Sequence, residues 1–394
     1  MNILFVSFLP FNPSYGGVER VTDVLTKALS LRGHRLFYLC DYVENRIMLE
    51  YDFPVPLFMF PKRGGFNSKD NIEYYKELLK EQAIDVVVYQ QALFACWYET
   101  LLFAPKCVSV LHAMPDYSVK TEMQRIFYTP QNIREYIKYP VKLLLYPFLY
   151  YAVKHRIGSL LSKHYSFITQ HSDAVVLLSD RYITDFKKYL PREIEPKVIK
   201  GISNPNTYSL QQLDLNNKEK ILLYVGRLEG YDKCPMRILR IWKRLYKKHP
   251  DWSLLVVGDC HERQSMQNYI DKYGLKRASL LGRKCNVDEY YKRASMICLT
   301  STSEGWGMVL TEGMQFGCIP FAFDNSGATY DIIDNEVNGF LIPSFSLKSY
   351  ANRLSSLMLD EKRRKNMALA AYDKSAMFDI SNIAEQWENL LYTI

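Results

Sequence analysis

Short apolar runs, each ending in a glycine or a small polar turn and followed by a helix-like stretch, recur along the whole chain. Residues 3–8 read as a buried strand, residues 10–17 as a loop closing on Gly16 and Gly17, and residues 18–31 as a helix stopped by Gly33. Strand patterns return at 35–40, 56–60, 85–89, 107–111 and 174–179, separated by helical or loop segments. Parallel neighbours need crossover connections, so this alternation predicts a doubly wound parallel sheet. Pro191, Pro196 and Pro205, with the polar run 210–220, mark a boundary. Beyond it the same grammar restarts, with strands at 221–225, 253–257, 278–281, 296–300 and 319–323 and helices at 235–246, 308–316, 347–358 and 361–370. The reading is α/β: two similar domains, 1–200 and 206–377, meeting across a cleft, with a last helix in 378–394 that carries Trp387 and crosses back to the first.

A chain of 394 residues suits two domains of ~100–200 residues, and 48% apolar content suffices for two cores. The N-terminus runs straight into the first strand pattern without a basic leader, which predicts a cytoplasmic protein. The eight cysteines (Cys40, Cys96, Cys107, Cys234, Cys260, Cys285, Cys298 and Cys318) form no close pair and no metal-ligand spacing, so reduced thiols are expected. The net charge of +8 is uneven. Residues 117–172 hold eight Lys/Arg against Glu122 and Glu135, many tyrosines, and the uncharged run 143–153. That run has eleven residues, where a membrane-spanning helix needs ~20. Two readings stand: a surface lying on anionic lipid, as a peripheral protein on the inner face of the cytoplasmic membrane, or a core helix with solvated flanks. No reader motif accompanies the charge, so nucleic acid is not an expected partner.

The most informative motif is Glu304-Gly305-Trp306-Gly307-Met308-Val309-Leu310-Thr311-Glu312, two carboxylates eight positions apart across a glycine turn that opens a helix. Unpaired N–H groups and the macrodipole make such a turn an anion site, with a diphosphate as the expected occupant. Arg227 and Lys233 add two cations after another strand. Charge-assisted bonds from them to a diphosphate would contribute ~1.5–3 kcal/mol each. Gly16 and Gly17 allow close backbone approach by donor or acceptor, and His112 follows the strand at 107–111. Glu19 and Arg20 read as surface residues of a first helical turn.

Together these residues resemble the retaining glycosyltransferases of family 4, which have the GT-B fold of two facing Rossmann-like domains with parallel sheets and an interdomain cleft. The resemblance rests on Gly16-Gly17-Val18-Glu19-Arg20, on Gly226-Arg227-Leu228 with Lys233, and on Glu304 to Glu312. Supporting marks are Ser203-Asn204-Pro205-Asn206, Val256-Val257-Gly258-Asp259 and Asn338-Gly339-Phe340-Leu341. By resemblance Glu312 holds the donor ribose, Glu304 contacts the donor sugar, the backbone of Gly305, Trp306, Gly307, Met308 and Val309 cradles the diphosphate, and His112 stands beside the transferred sugar. In similar proteins a glycine usually follows the lysine, whereas here Cys234-Pro235 does.

The resemblance implies a metal-independent hexosyltransferase-type enzyme with no cofactor, moving sugar from a UDP- or GDP-sugar to a glycan or lipid-linked acceptor in surface polysaccharide assembly. The chain contains no Asp-x-Asp motif that would hold a diphosphate through a metal. A sugar-nucleotide 2-epimerase and a non-catalytic transferase relative acting as an assembly subunit remain the alternatives.

Overall fold

The structure is a computed structural model that describes residues 1–43, 50–62, 67–90, 98–127, 144–208 and 212–394; of Tyr98 and of residues 123–127 only the backbone is described. Two compact units form: Met1–Asp116 with Val153–Thr207 and Asp379–Ile394, and Tyr117–Ala152 with Tyr208–Phe378. Residues 117–152, assigned by sequence to the first domain, group instead with the second unit. Lys120 Nζ there donates to the Asn325 carbonyl, 3.4 Å away.

The first unit holds a seven-stranded parallel sheet in the order β3-β2-β1-β4-β5-β6-β7. Its strands are β1 Asn2–Ser7, β2 Arg35–Cys40, β3 Leu57–Met59, β4 Val86–Tyr89, β5 Cys107–Leu111, β6 Ala174–Leu177 and β7 Ile199–Gly201. Alternation along β1 sends Ile3 and Phe5 to one face and Leu4 and Val6 to the other, and each pair enters a separate buried cluster. The sheet is therefore covered on both sides, as a parallel sheet requires. One cover is Gly17–Leu31, which buries Val21, Leu25 and Leu29. The C-terminal helix Ile380–Thr393 packs with it, placing Ile383, Trp387 and Leu391 in the Ile3–Phe5 cluster. Arg32 and His34 anchor that helix through Glu388, at 2.7 and 3.0 Å.

The second unit repeats the plan with six parallel strands in the order β10-β9-β8-β11-β12-β13. They are β8 Glu219–Val225, β9 Ser253–Val257, β10 Ala278–Leu280, β11 Ala294–Leu299, β12 Ile319–Phe323 and β13 Phe340–Ile342. Met236–Leu245 buries Ile238, Leu239, Ile241, Trp242 and Leu245 in its core. In both sheets the strand order reverses beside the first strand of the unit, between β1 and β4 and between β8 and β11. The loops leaving such neighbours at their carboxyl ends splay to opposite sides and open a crevice.

The helix Tyr146–His171 settles the two readings of the basic stretch differently at its two ends. Leu161, Tyr165 and Ile168 are buried, whereas Leu144, Phe148 and Tyr151 are 79%, 76% and 71% exposed. A core helix is thus ruled out for residues 144–151. Residues 128–143, including Glu135 and Tyr139, lie outside the described residues, as does Cys96. The seven described cysteines are free thiols, and no described helix is long and apolar enough to cross a membrane.

Truncating Trp387 to Ala would leave a large cavity beneath Gly17–Leu31. A loss of ~3–5 kcal/mol is expected in urea unfolding followed by circular dichroism; a loss below ~1 kcal/mol would show that the C-terminal helix does not brace this core.

Candidate functional site

The crevice between β8 and β11 in the second unit receives most of the residues singled out in the sequence. Lys233, in the loop after β8, reaches Glu304, in the loop after β11: Nζ lies 2.8 Å from Oε1 and 2.9 Å from Oε2. Both side chains are largely sheltered, at 23% and 12% exposure. Burial opposes the charge on Lys233, but the carboxylates of Glu304 and Asp232 outweigh it and hold the pKa above its usual value. The lysine is therefore an ammonium at neutral pH.

Arg227 sits on the same loop but mostly in solvent, pairing with Glu229 at 3.0 Å and more distantly with Asp232 at 3.7 Å. The segment carrying Glu304 is fixed from three directions. Asn325 Nδ2 donates to the carbonyls of Ser301 and Thr302, Arg237 donates to that of Thr300, and Ser326 Oγ donates to that of Glu304 itself. Gly307 then caps Met308–Gln315 at φ 96°, a left-handed conformation that a side chain would strain. Among the described residues no side chain caps this helix, and an N-terminus of this kind is suited to an anion. Among the described residues, the buried Ser301 Oγ, Ser303 Oγ and Trp306 Nε1 have no hydrogen-bond partner. Such groups are costly unless a ligand or water satisfies them.

Glu312 lies in the second turn of Met308–Gln315 and is buried, its Oε2 accepting from the Tyr291 hydroxyl at 2.9 Å. Its partner Tyr291 had no sequence signal beyond a helical pattern, and neither did Asp232 within its loop.

In the first unit the loops after β1, β4 and β5 carry Gly16 and Gly17, Gln90, and His112. Gly16 is the N-cap of Gly17–Leu31. Glu19, expected on the surface, is 4% exposed and folds back so that its Oε2 would stand 2.5 Å from any Cβ at position 16. A side chain at position 16 would have to displace the Glu19 carboxylate. Burial pushes the Glu19 carboxyl up, because the desolvated site favours the neutral form. His112 Nε2 donates to Gln90 Oε1 at 2.5 Å, and its Nδ1 has no hydrogen-bond partner among the described residues. Burial lowers its pKa to about 4, so the imidazole is neutral, with a bare acceptor nitrogen. Gln90, immediately after β4, could have been found as the polar residue ending a buried strand beside the order reversal.

Residues 15–205 match the family model Glycosyltransferase Family 4, and residues 207–374 match Glycosyl transferases group 1. The chain belongs to this glycosyltransferase family and has its GT-B fold. It is 32% identical over 212 residues to an amylovoran biosynthesis glycosyltransferase of Erwinia amylovora, covering 52% of this chain and 59% of that protein. It is 24% identical to an uncharacterized glycosyltransferase of Haemophilus influenzae across 96% and 97% of the two chains. It is 28% identical over 199 residues, 50% of this chain and 55% of the other, to a Campylobacter jejuni α-1,4-N-acetyl-D-galactosaminyltransferase named for a PP-undecaprenol-linked glycan. The chain thus matches only about half to three-fifths of the Erwinia and Campylobacter proteins. Among solved structures, Anabaena HepE, crystallised with UDP and glucose, shares the fold at TM-score 0.75 and 17% identity, over 100% of this chain and 99% of that one. The pneumococcal O-GlcNAc transferase GtfA, solved with UDP and GlcNAc, does so at 0.72 and 14% identity, over 100% and 99%.

The neutral histidine gives a signed pH dependence. Unfolding restores its pKa toward 6.5 from about 4, so the unfolded chain binds the extra proton, and stability present above pH 6.5 declines as pH falls toward 4. Denaturant unfolding between pH 7 and pH 4 should show a shallower decline for His112→Asn than for the parent. Equal slopes would mean that the imidazole is not held neutral.

Proposed function

We propose that this glycosyltransferase moves a sugar, with retention of anomeric configuration, from a UDP- or GDP-sugar to a glycan or lipid-linked glycan in the assembly of a surface polysaccharide. The observation that carries the donor assignment is the Lys233–Glu304 pair at the β8–β11 reversal, beside an uncapped helix start. The ammonium has three N–H donors, of which the carboxylate engages two, and the third is available to a diphosphate oxygen. As the anomeric C–O bond breaks, Lys233, Arg227 and the N–H groups of Gly305, Trp306, Gly307, Met308 and Val309 neutralise the charge gathering on the leaving diphosphate. Glu304 orients the donor sugar and Glu312 accepts from the ribose hydroxyls, while in the first unit His112, Gly16 and Gly17 are the groups offered to a sugar. Retention follows if the acceptor oxygen attacks from the face the diphosphate leaves, passing its proton to the departing phosphate oxygen.

Cations and a helix terminus serve here in place of a metal ion, and the transferase needs no cofactor. UDP in the HepE and GtfA structures supports a uridine donor, and the relatives named for amylovoran biosynthesis and an undecaprenol-linked glycan support the acceptor class.

The exposed Leu144, Phe148 and Tyr151 recur at helical spacing, and Lys154, His155 and Arg156 are exposed one turn on. An apolar stripe beside cations suits the boundary of an anionic leaflet, which favours a peripheral protein on the inner face of the cytoplasmic membrane.

Two experiments test this reading. Changing Arg227 and Lys233 together to Ala removes two charge-assisted contacts and should lower nucleotide release from donor plus acceptor at least ~100-fold with an unchanged far-ultraviolet spectrum; undiminished turnover would remove the assignment. Cosedimentation with liposomes rich in phosphatidylglycerol should be strong at low salt and fade as the screening length shrinks toward ~8 Å. No cosedimentation at low salt would refute the membrane reading.

A further inference from the structure

Cys234 is the residue at which this chain departs from the glycine usual after the lysine, and its backbone stands at φ 45°. That left-handed conformation is comfortable for glycine and strained for a side chain, and the Pro235 ring narrows the choices of the preceding residue further. Strain of this kind persists where the surroundings enforce it. Here the backbone is held by the Cys234 N–H donating to the Glu229 carbonyl at 3.2 Å, and the side chain adds contacts of its own. The sulfur lies 3.1 Å from the Gly230 carbonyl oxygen and 3.3 Å from Thr302 Oγ1. Burial raises the thiol pKa, so the proton stays on sulfur: S–H donates to Gly230, and the Thr302 hydroxyl can donate to sulfur.

Those two partners belong to different loops, Gly230 to the one after β8 and Thr302 to the one after β11. The same loops are joined by the Thr302 N–H to the Asp232 carbonyl at 2.7 Å and by Thr300 Oγ1 to the Cys234 carbonyl at 3.3 Å. Lys233 immediately precedes the cysteine, and Glu304 follows Thr302 by two residues.

We infer that Cys234 is a positioning residue for donor binding: its sulfur clamps the Lys233 loop to the Glu304 loop and so fixes the ammonium and the carboxylate at the spacing that a nucleoside diphosphate sugar meets. The inference rests on the donor site proposed above. A glycine at this position would relieve the backbone strain but lose the clamp, so stability and donor binding should move in opposite directions.

The test compares Cys234→Ala, Cys234→Ser and Cys234→Gly with the parent by UDP and GDP calorimetry, donor KM and kcat, and thermal midpoint. Cys234→Ala should weaken binding of the preferred nucleotide and raise donor KM about fivefold, the scale of one lost hydrogen bond, with a smaller effect on kcat. Cys234→Ser, which keeps a donor and an acceptor, should recover most of that loss. Cys234→Gly should melt at or above the parent temperature yet bind as weakly as Cys234→Ala. Parent-like binding in the Ala and Gly variants, with the parent itself binding nucleotide, would overturn the clamp alone. A parent that binds neither UDP nor GDP would overturn the donor site and the clamp with it.

Discussion

The ion pair between Lys233 and Glu304 ties together two loops of the second unit, and it exists because β8 and β11 are neighbours although 68 residues of chain lie between the end of one and the start of the other. Val225 ends β8 and Ala294 begins β11, and the intervening β9 and β10 lie on the far side of β8. A parallel sheet wound outward from its first strand must place these two carboxyl ends side by side. Loops that differ in everything else are thereby delivered to one crevice. The pair is sheltered enough for electrostatics to matter yet open enough to exchange partners. Its carboxylate is anchored through the backbone by Asn325, Arg237 and Ser326. A cation held in this way needs little reorganisation when negative charge develops nearby.

The loops singled out in the two units differ in electrostatic character. In the second, charges are kept: Lys233 is protonated against the cost of burial because Glu304 and Asp232 face it. At the loops of the first that carry Gly16 and His112, burial instead pushes His112 toward its neutral form and Glu19 toward its protonated form. Neutral groups suit the recognition of sugar hydroxyls, which need acceptors and donors rather than ions.

Much of this was legible in the sequence. The strands at 35–40, 107–111, 253–257 and 319–323 have the bounds their apolar runs announced, since a strand buried on both faces reads as an unbroken apolar segment. The three-residue strands Ile199–Gly201 and Phe340–Ile342 went unseen because so short a run gives no periodicity. Lys233 and Glu304 stood out by type and placement, but nothing local could reveal that they touch. Glu19 looked like a solvated helix-start acid, and only the fold shows it tucked against Gly16. The core reading of residues 144–151 failed for a simpler reason: apolar composition records what a segment can bury, not whether the fold supplies anything to cover it.

The central claim is that this crevice binds a nucleoside diphosphate through protein cations and backbone N–H groups. The most direct measurement is a thermal-shift titration of the parent protein with UDP, GDP, ADP and CMP in the presence of a chelator. Ligand at 100 times its dissociation constant adds ~2.7 kcal/mol of stability. The account predicts a clear rise with UDP or GDP under these conditions. No rise with either, or a rise that appears only when a divalent metal is restored, would contradict it.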